Sequence, residues 1–332
     1  MKTRRLRLLL PLIFLLCLAC GGSTAAARRY THQFFGPFDT VYVLTAYADT
    51  RTRFAAFAED FQVRTEAYHR LYDIYHSYEG ISNLKTINDS AGLRPVPADP
   101  ALMDLLCFGV EMHRETKGAV NIAMGPVLTL WHDARTRSLA DPDSALLPDE
   151  QALRDAALRC DITKLVLDEE AGTAYLCVPG MSLDVGALAK GYAARRAAEE
   201  AAEAHGVFRY LVNAGGNVVA GAPPLDGRPH WDVGLLYPDG ERPGEFAHIL
   251  HISHASVVTS ADDQRYYEYR GQRMGHIIDP ETLFPATKFR SVSVIGADSA
   301  LCDALSTALF ILSEEEGRAL VERLGYTAVW MR

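Results

Sequence analysis

Apolar side chains recur mainly at three-, four- and seven-residue steps through Phe54, Phe57, Phe61, Tyr68, Leu71, Tyr72 and Tyr75. That period places them on one stripe of a long amphipathic helix. Just before it, residues 41–47 (VYVLTAY) are rich in β-branched and aromatic side chains and read as a strand. Helical spacing returns over residues 101–116, stopped near Gly118, and over 149–160. Residues 164–168 and 173–178 then flank a Glu-Glu-Ala-Gly turn and predict a hairpin. An Ala-rich helix follows over 187–205, with Gly206 placed to end it. Further strands are expected at 210–213, 231–236, 246–253, 265–269, 274–278 and 290–295, then helices at 299–313 and 316–324 and a last strand at 326–330. Runs of strands with helices set between them, and few regular strand–helix–strand units, predict an α+β fold with mixed or antiparallel sheets flanked by helices.

Composition leaves this picture intact. At 332 residues, 48% hydrophobic and 23% charged, the chain is ordinary globular material, not a disordered, collagenous or coiled-coil sequence. A formal charge of -9 argues against nucleic acid as a partner, because no basic stripe is available to displace counterions from a phosphate backbone. The charge is unevenly spread: Lys2, Arg4, Arg5 and Arg7 precede an uncharged apolar run from Leu8 to Ala19. That run is shorter than the ~20 residues a membrane span needs, and it fits a secretory signal. It ends in Leu16-Cys17-Leu18-Ala19-Cys20, similar to the bacterial lipoprotein box. The expected organisation is a signal peptide at 1–19, a lipid-anchored tether from Cys20 to residue 31, and one domain at 32–332. Its place would be the outer face of a bacterial membrane. Cys107 and Cys177 have apolar neighbours and read as core; Cys160 and Cys302, each beside an Asp, are left open, as is a disulfide.

Several constellations could carry chemistry. Asp303 and Thr307 are four apart in a predicted helix, so their oxygens share a face. A carboxylate with a hydroxyl suits Mg²⁺ rather than zinc, against the plainer reading of an Asp favoured by a helix N-terminus. Ser182-Leu-Asp184-Val-Gly-Ala-Leu-Ala-Lys190 brings opposite charges and small residues to a helix entry, but it is no Walker A loop. Asn213-Ala-Gly-Gly-Asn217 would serve equally as an anion-binding turn or a plain hairpin turn. There is no GxGxxG, so no Rossmann dinucleotide site is indicated. His276, at the end of a predicted hairpin strand, is a candidate general base.

The order of these segments carries more than each alone. Lys117-Gly-Ala-Val-Asn-Ile-Ala-Met-Gly-Pro126, the Leu183–Gly191 stretch, Val212-Asn-Ala-Gly-Gly216, His276-Ile-Ile-Asp-Pro280 and Asp303-Ala-Leu-Ser-Thr307 together resemble the ApbE family of FAD:protein FMN transferases. The resemblance runs from about Phe35 to the C-terminus. It implies a central cleft for FAD, which is the substrate, with Mg²⁺ held by Asp303, Thr307 and the Ala187 carbonyl. It further implies FAD contacts from Phe38, Tyr78, Ala119, Val120, Asn121, Asp184, Lys190 and Ile277, and His276 as the base. The partner would be an acceptor flavoprotein presenting a Thr or Ser hydroxyl, which takes FMN while AMP leaves. Two departures stand out: Asn121 occupies a position that is often Asp, and Ser260-Ala-Asp-Asp263 replaces a more usual Ser-Gly-Asp-Tyr. Two other readings stay open on the sequence: a Mg²⁺-dependent FAD pyrophosphatase giving FMN and AMP, and a non-catalytic flavin-binding lipoprotein.

Overall fold

The computed structural model describes residues 26–238, 242, 244–263 and 265–332. The expected signal peptide, Cys20 and the first part of the tether lie outside the described residues. Strand β1 (Arg28–Phe35) pairs antiparallel along its whole length with β2 (Val41–Ala48), so the tether expected to reach residue 31 is strand from Arg28 onward. Alternation along β2 sets two faces: Tyr42, Leu44 and Ala46 are fully buried on one, and Tyr47 packs on the other. Helix α1 (Arg51–Tyr72) covers the first face, started by Thr50, whose hydroxyl accepts from the Arg53 N–H at 3.2 Å.

The chain continues through α2 (Leu84–Asp89), β3 (Val96–Pro97), α3 (Pro100–Glu115), α4 (Gly125–Ala140), α5 (Glu150–Ala157), β4 (Leu165–Asp168) and β5 (Thr173–Leu176). Helix α6 (Ala189–His205) ends on Gly206 in the left-handed region, φ 65°, as its sequence predicts. Then come β6 (Tyr210–Ala214), β7 (Asn217–Ala220), β8 (Trp231–Leu236), β9 (Phe246–Ile252), β10 (Ala255–Ala261), β11 (Tyr266–Tyr269), β12 (Gln272–Gly275) and β13 (Ser291–Gly296). Helices α7 (Ser299–Ile311) and α8 (Glu314–Leu324) and strand β14 (Thr327–Met331) close the chain.

A seven-stranded sheet in the order β1-β2-β6-β7-β10-β13-β14 is the frame, with every neighbouring pair antiparallel. The α+β expectation holds. Helices α1, α6 and α7 form a layer on one face, and the β8–β9 hairpin packs on the other through Trp231, Val233 and Ile252 against Tyr47, Val218 and Val257. An alanine stripe on α6, including Ala193, Ala194, Ala197, Ala198 and Ala201, is wholly buried and lets its neighbours come close.

Three elements depart from the sequence expectation in ways that matter. Helix α4 was not anticipated, although Val127, Trp131, Ala134 and Ser138 are buried at helical spacing behind Pro126 at its first turn. Strand β12 ends at Gly275, so His276 follows the strand instead of lying in it. The core reading of two cysteines is corrected: Cys177 is exposed and Cys107 half-buried, while Cys160 and Cys302, left open, are buried, all as free thiols. Cys177 follows the buried Leu176, and the alternation of the strand turns it outward.

Candidate functional site

A cavity of about 1320 Å³ opens between the sheet, the loop preceding α6, helix α4 and the segment after β12. Its metal-competent corner is built by the crossing of α6 and α7. A Cβ on Gly191 would lie 2.3 Å from the Ser299 carbonyl oxygen and 2.7 Å from Asp303 Cβ, so only glycine permits this approach. The crossing puts Asp303 Oδ2 2.8 Å from the Gly191 N–H. In an ordinary first helical turn that N–H would go to the carbonyl four residues back, at Ala187. Diverting it to Asp303 leaves the Ala187 carbonyl, at the cavity wall, without its helical donor. Thr307 lies one turn beyond Asp303; from Cys302 to Ile311 it is the one position not fully buried, and it opens onto the same cavity.

Asp303 itself is 4% exposed. Burial raises its carboxyl pKa, opposed by Lys190, the Gly191 N–H and Asn217. Asn217 is completely buried and faces Asp303 closely enough to favour the carboxylate, yet neither amide atom completes a hydrogen bond of normal geometry. A buried carboxylate, an orphaned amide, a released carbonyl and a hydroxyl form a hard-oxygen donor set, which fits Mg²⁺.

The loop before α6 is pinned from behind. Asn88 on α2 donates to the Leu183 carbonyl at 3.0 Å and accepts the Leu183 N–H at 2.7 Å, while the Asp184 N–H donates to Ile122 O at 2.8 Å. Asp184 closes a turn by accepting the Gly186 N–H at 2.8 Å. Burial among the cavity walls raises its pKa; the Gly186 N–H, Arg265 and His132 oppose that. Lys190 lines the cavity with no hydrogen-bond or ion-pair partner among the described residues.

Ala119, Val120 and Asn121 reach the wall from the turn after α3, and Ile277 reaches it beside His276. Asn121, however, is engaged by the scaffold: its Nδ2 donates to Cys160 O at 2.9 Å and its Oδ1 accepts the Ala123 N–H at 2.9 Å. Aspartate could keep the second bond but could not donate the first, which gives the Asn at this position a physical reason. The other departure is similarly absorbed. Ala261 pairs with Ser291 as the strand runs on, and Asp262 accepts from Arg290 at 2.9 Å. The Asn213–Asn217 segment is a hairpin turn, with Gly215 and Gly216 at φ 59° and 95°; Asn213 Oδ1 takes the Gly216 N–H, so that donor is not left for an anion.

The structure does not bring Phe38 or Tyr78 to the cavity. Phe38 sits at φ 55°, its ring against His69 and Tyr72, and this turn directs Asp39 and Thr40 to the wall instead. Tyr78 donates its hydroxyl to Asp73 Oδ2 at 2.7 Å and stays with α1. From the segment just after α1 it is Tyr75 that reaches the cavity.

Sequence reasoning also missed Arg135 on α4 and Arg265 just before β11, both of which line the cavity. Arg135 has no anionic partner among the described residues, and burial and then Arg265 lower its pKa. Its signal lay in the helical period of α4. The His276 ring stands at the cavity mouth, reached by solvent yet walled by protein. Crowding by those walls, then the positive charges of Arg265, Lys190 and Arg135, lowers its pKa to about 4. The ring is therefore neutral at pH 7 and able to take a proton.

Fold and site together define an α+β protein with one cleft in which a buried carboxylate and a hydroxyl stand near three cations. Residues 38–330 match the ApbE family model. A FAD:protein FMN transferase of Treponema pallidum is 36% identical over 255 residues, 72% of this chain and 67% of that protein. One from Klebsiella pneumoniae is 31% identical over 258 residues, 77% of this chain and 71% of that one. Among solved structures, the ApbE protein of Thermotoga maritima superposes with a TM-score of 0.77 at 24% identity, over 91% of this chain and 94% of that chain. The flavin transferase ApbE of Vibrio cholerae gives 0.75 at 20% identity, over 92% and 93%. The chain belongs to the ApbE family.

Proposed function

We propose that this chain is a Mg²⁺-dependent FAD:protein FMN transferase. The observation that carries the reading is the convergence on one cavity of the Asp303–Thr307–Ala187 donor set, Lys190, Arg135, Arg265 and a neutral His276. In the reaction a Thr or Ser hydroxyl of an acceptor flavoprotein attacks the phosphorus of the FMN half of FAD. The new O–P bond forms as the bond to the AMP phosphate breaks, AMP leaves, and the hydroxyl proton passes to His276. When bound, the metal supplies charge neutralisation at the phosphates, the main requirement of phosphoryl transfer. Asp303, Thr307 and Ala187 would hold it. Lys190, Arg135 and Arg265 orient the diphosphate, and Asp184, Ala119, Val120 and Ile277 shape the cleft around the flavin nucleotide.

The chain would act outside the cytoplasm, anchored to the membrane through a lipid on Cys20, on an acceptor that shares that compartment. Purified protein, FAD, Mg²⁺ and a candidate acceptor are incubated, and the acceptor is weighed by mass spectrometry after denaturation. An added FMN mass with equimolar AMP is expected. AMP released at the same rate without acceptor would point to a pyrophosphatase, and tight FAD binding with no AMP to a carrier.

A further inference from the structure

The β8–β9 hairpin carries a second cluster that the flavin chemistry does not use. Asp232 and His251 are cross-strand partners, with Asp232 Oδ1 2.8 Å from His251 Nδ1. His230, two residues before Asp232, brings its ring centroid to 4.2 Å from that of His251. One ligand atom from each of the three lies within 4.8 Å of the other two. His230 Nδ1 is buried and has no hydrogen-bond partner. A buried ring nitrogen left unpaired costs about 1–3 kcal/mol, and nothing else among the described residues accounts for it. Behind the cluster, Arg228 donates to Asp232 Oδ2 at 2.7 Å and to Asp226 Oδ2 at 2.7 Å, and Tyr47 donates to Asp226 at 3.1 Å. Such outer hydrogen bonds are what orient a ligating carboxylate.

We propose that His230, Asp232 and His251 bind a divalent transition-metal ion, with Zn²⁺ the best match. Two imidazoles and one carboxylate suit Zn²⁺, whereas Mg²⁺ prefers an all-oxygen set, so the site is chemically distinct from the Asp303 corner. Three protein ligands leave a fourth position for water. The charges allow it: Asp226 and Asp232 outweigh Arg228 by one negative charge when the imidazoles are neutral. The ion ties β8 to β9 at one end of the hairpin. Asp232 itself and the strand beyond it, through Leu235, Leu236 and Phe246, form part of the cavity wall. Metal at this cluster therefore stiffens that wall without entering the phosphoryl transfer, and the inference does not depend on the transferase reading.

The full chain, stripped of metal and returned to excess Mg²⁺ to fill the all-oxygen site, is titrated with Zn²⁺ by calorimetry. One equivalent should bind at micromolar or tighter affinity. His251→Gln and His230→Gln should each weaken it at least tenfold, while His76→Gln, at an exposed imidazole outside the cluster, leaves it unchanged. Co²⁺ bound in place of Zn²⁺ should show a nitrogen–oxygen spectrum with no thiolate charge-transfer band. Absence of micromolar Zn²⁺ binding, binding that survives the cluster substitutions, or a thiolate band would overturn the proposal. If His230→Gln fails to fold, the solvent-exposed His251 carries the test.

Discussion

Replacing Asp303 with Asn separates the cost of the metal corner from its use. The carboxylate is 4% exposed, and burial raises its pKa above the ordinary 3.8. For an acid with a raised folded-state pKa, the unfolded chain gives up its proton first. Metal-free stability therefore falls as pH climbs from 3.8 through the raised value. Asparagine has no proton to lose and removes that fall. It can still accept the Gly191 N–H now held at 2.8 Å, so the α6–α7 crossing is kept. In EDTA at pH 7 the variant should melt at the same temperature as the parent or higher. With Mg²⁺ the order reverses. A ligand at 100 times its Kd stabilises by about 2.7 kcal/mol, or about 5 °C at the roughly 2 °C per kcal/mol of large domains. The parent should gain this and the variant should not. FMN transfer should drop by at least ~10³-fold, since the several kcal/mol of charge stabilisation from a metal amount to a factor of ten per 1.36 kcal/mol. Scanning fluorimetry in EDTA and in Mg²⁺, with AMP release measured in parallel, checks both halves. A variant that keeps the Mg²⁺-dependent shift would refute the assignment of Asp303 as a ligand.

Three further outcomes follow from the same geometry. Gly191→Ala forces a Cβ to within 2.3 Å of the Ser299 carbonyl, so it should cost ~1–3 kcal/mol by overpacking and weaken Mg²⁺ binding; an unchanged melting temperature would contradict the close crossing. His276 titrates below its ordinary 6.5, toward about 4. Because water reaches the ring, the acid limb of kcat/KM for FAD should fall between these values, with activity lost as pH drops. His276→Gln should lower kcat by ~10²–10⁴ and erase that limb, and a limb that persists would assign the base elsewhere. Arg135→Gln removes a half-buried cation with no anionic partner among the described residues, so stability should hold while KM for FAD rises about 10–100-fold, the value of a charged hydrogen bond. An unaltered KM would remove Arg135 from the diphosphate subsite.

Much of this was legible from local pattern. The period of α1, the Gly206 stop and the hairpin of β4 and β5 are short-range features, and the structure keeps them. Asp303 and Thr307 are visible as a pair because a helix fixes their relation. What stayed hidden depends on contacts between distant segments. The Ala187 carbonyl is released only because Gly191 is drawn to a residue 112 positions later in the chain. Arg135 becomes a site residue only once α4 packs beneath Ile278 and Tyr267. Phe38 and Tyr78 stay off the cavity wall for the converse reason: each lies close to a lining segment in sequence, but a left-handed turn in one case and a bond to Asp73 in the other directs the ring elsewhere.

Net charge shows the same separation of local from global. A chain at -9 repels a polyanion taken as a whole, yet the proposed substrate is an anionic dinucleotide. Some acidic side chains of the outer surface pair with arginines at helical spacing, as Arg64 does with Asp60 at 2.9 Å and Arg318 with Glu314 at 2.6 Å. Screening at 0.15 M salt confines such pairs to ~8 Å. Within the cavity the arrangement is different: aspartates line it too, but Lys190 and Arg135 form no ion pair among the described residues, and Asp184 and Asp303 sit where burial disfavours their charge. Positive charge is thus concentrated where Arg265, Lys190 and Arg135 converge beside His276, and a bound metal would add to it. Affinity for FAD should accordingly respond to salt far less than encounter with an acceptor protein, because the first is set inside a walled cleft and the second across the screened acidic surface.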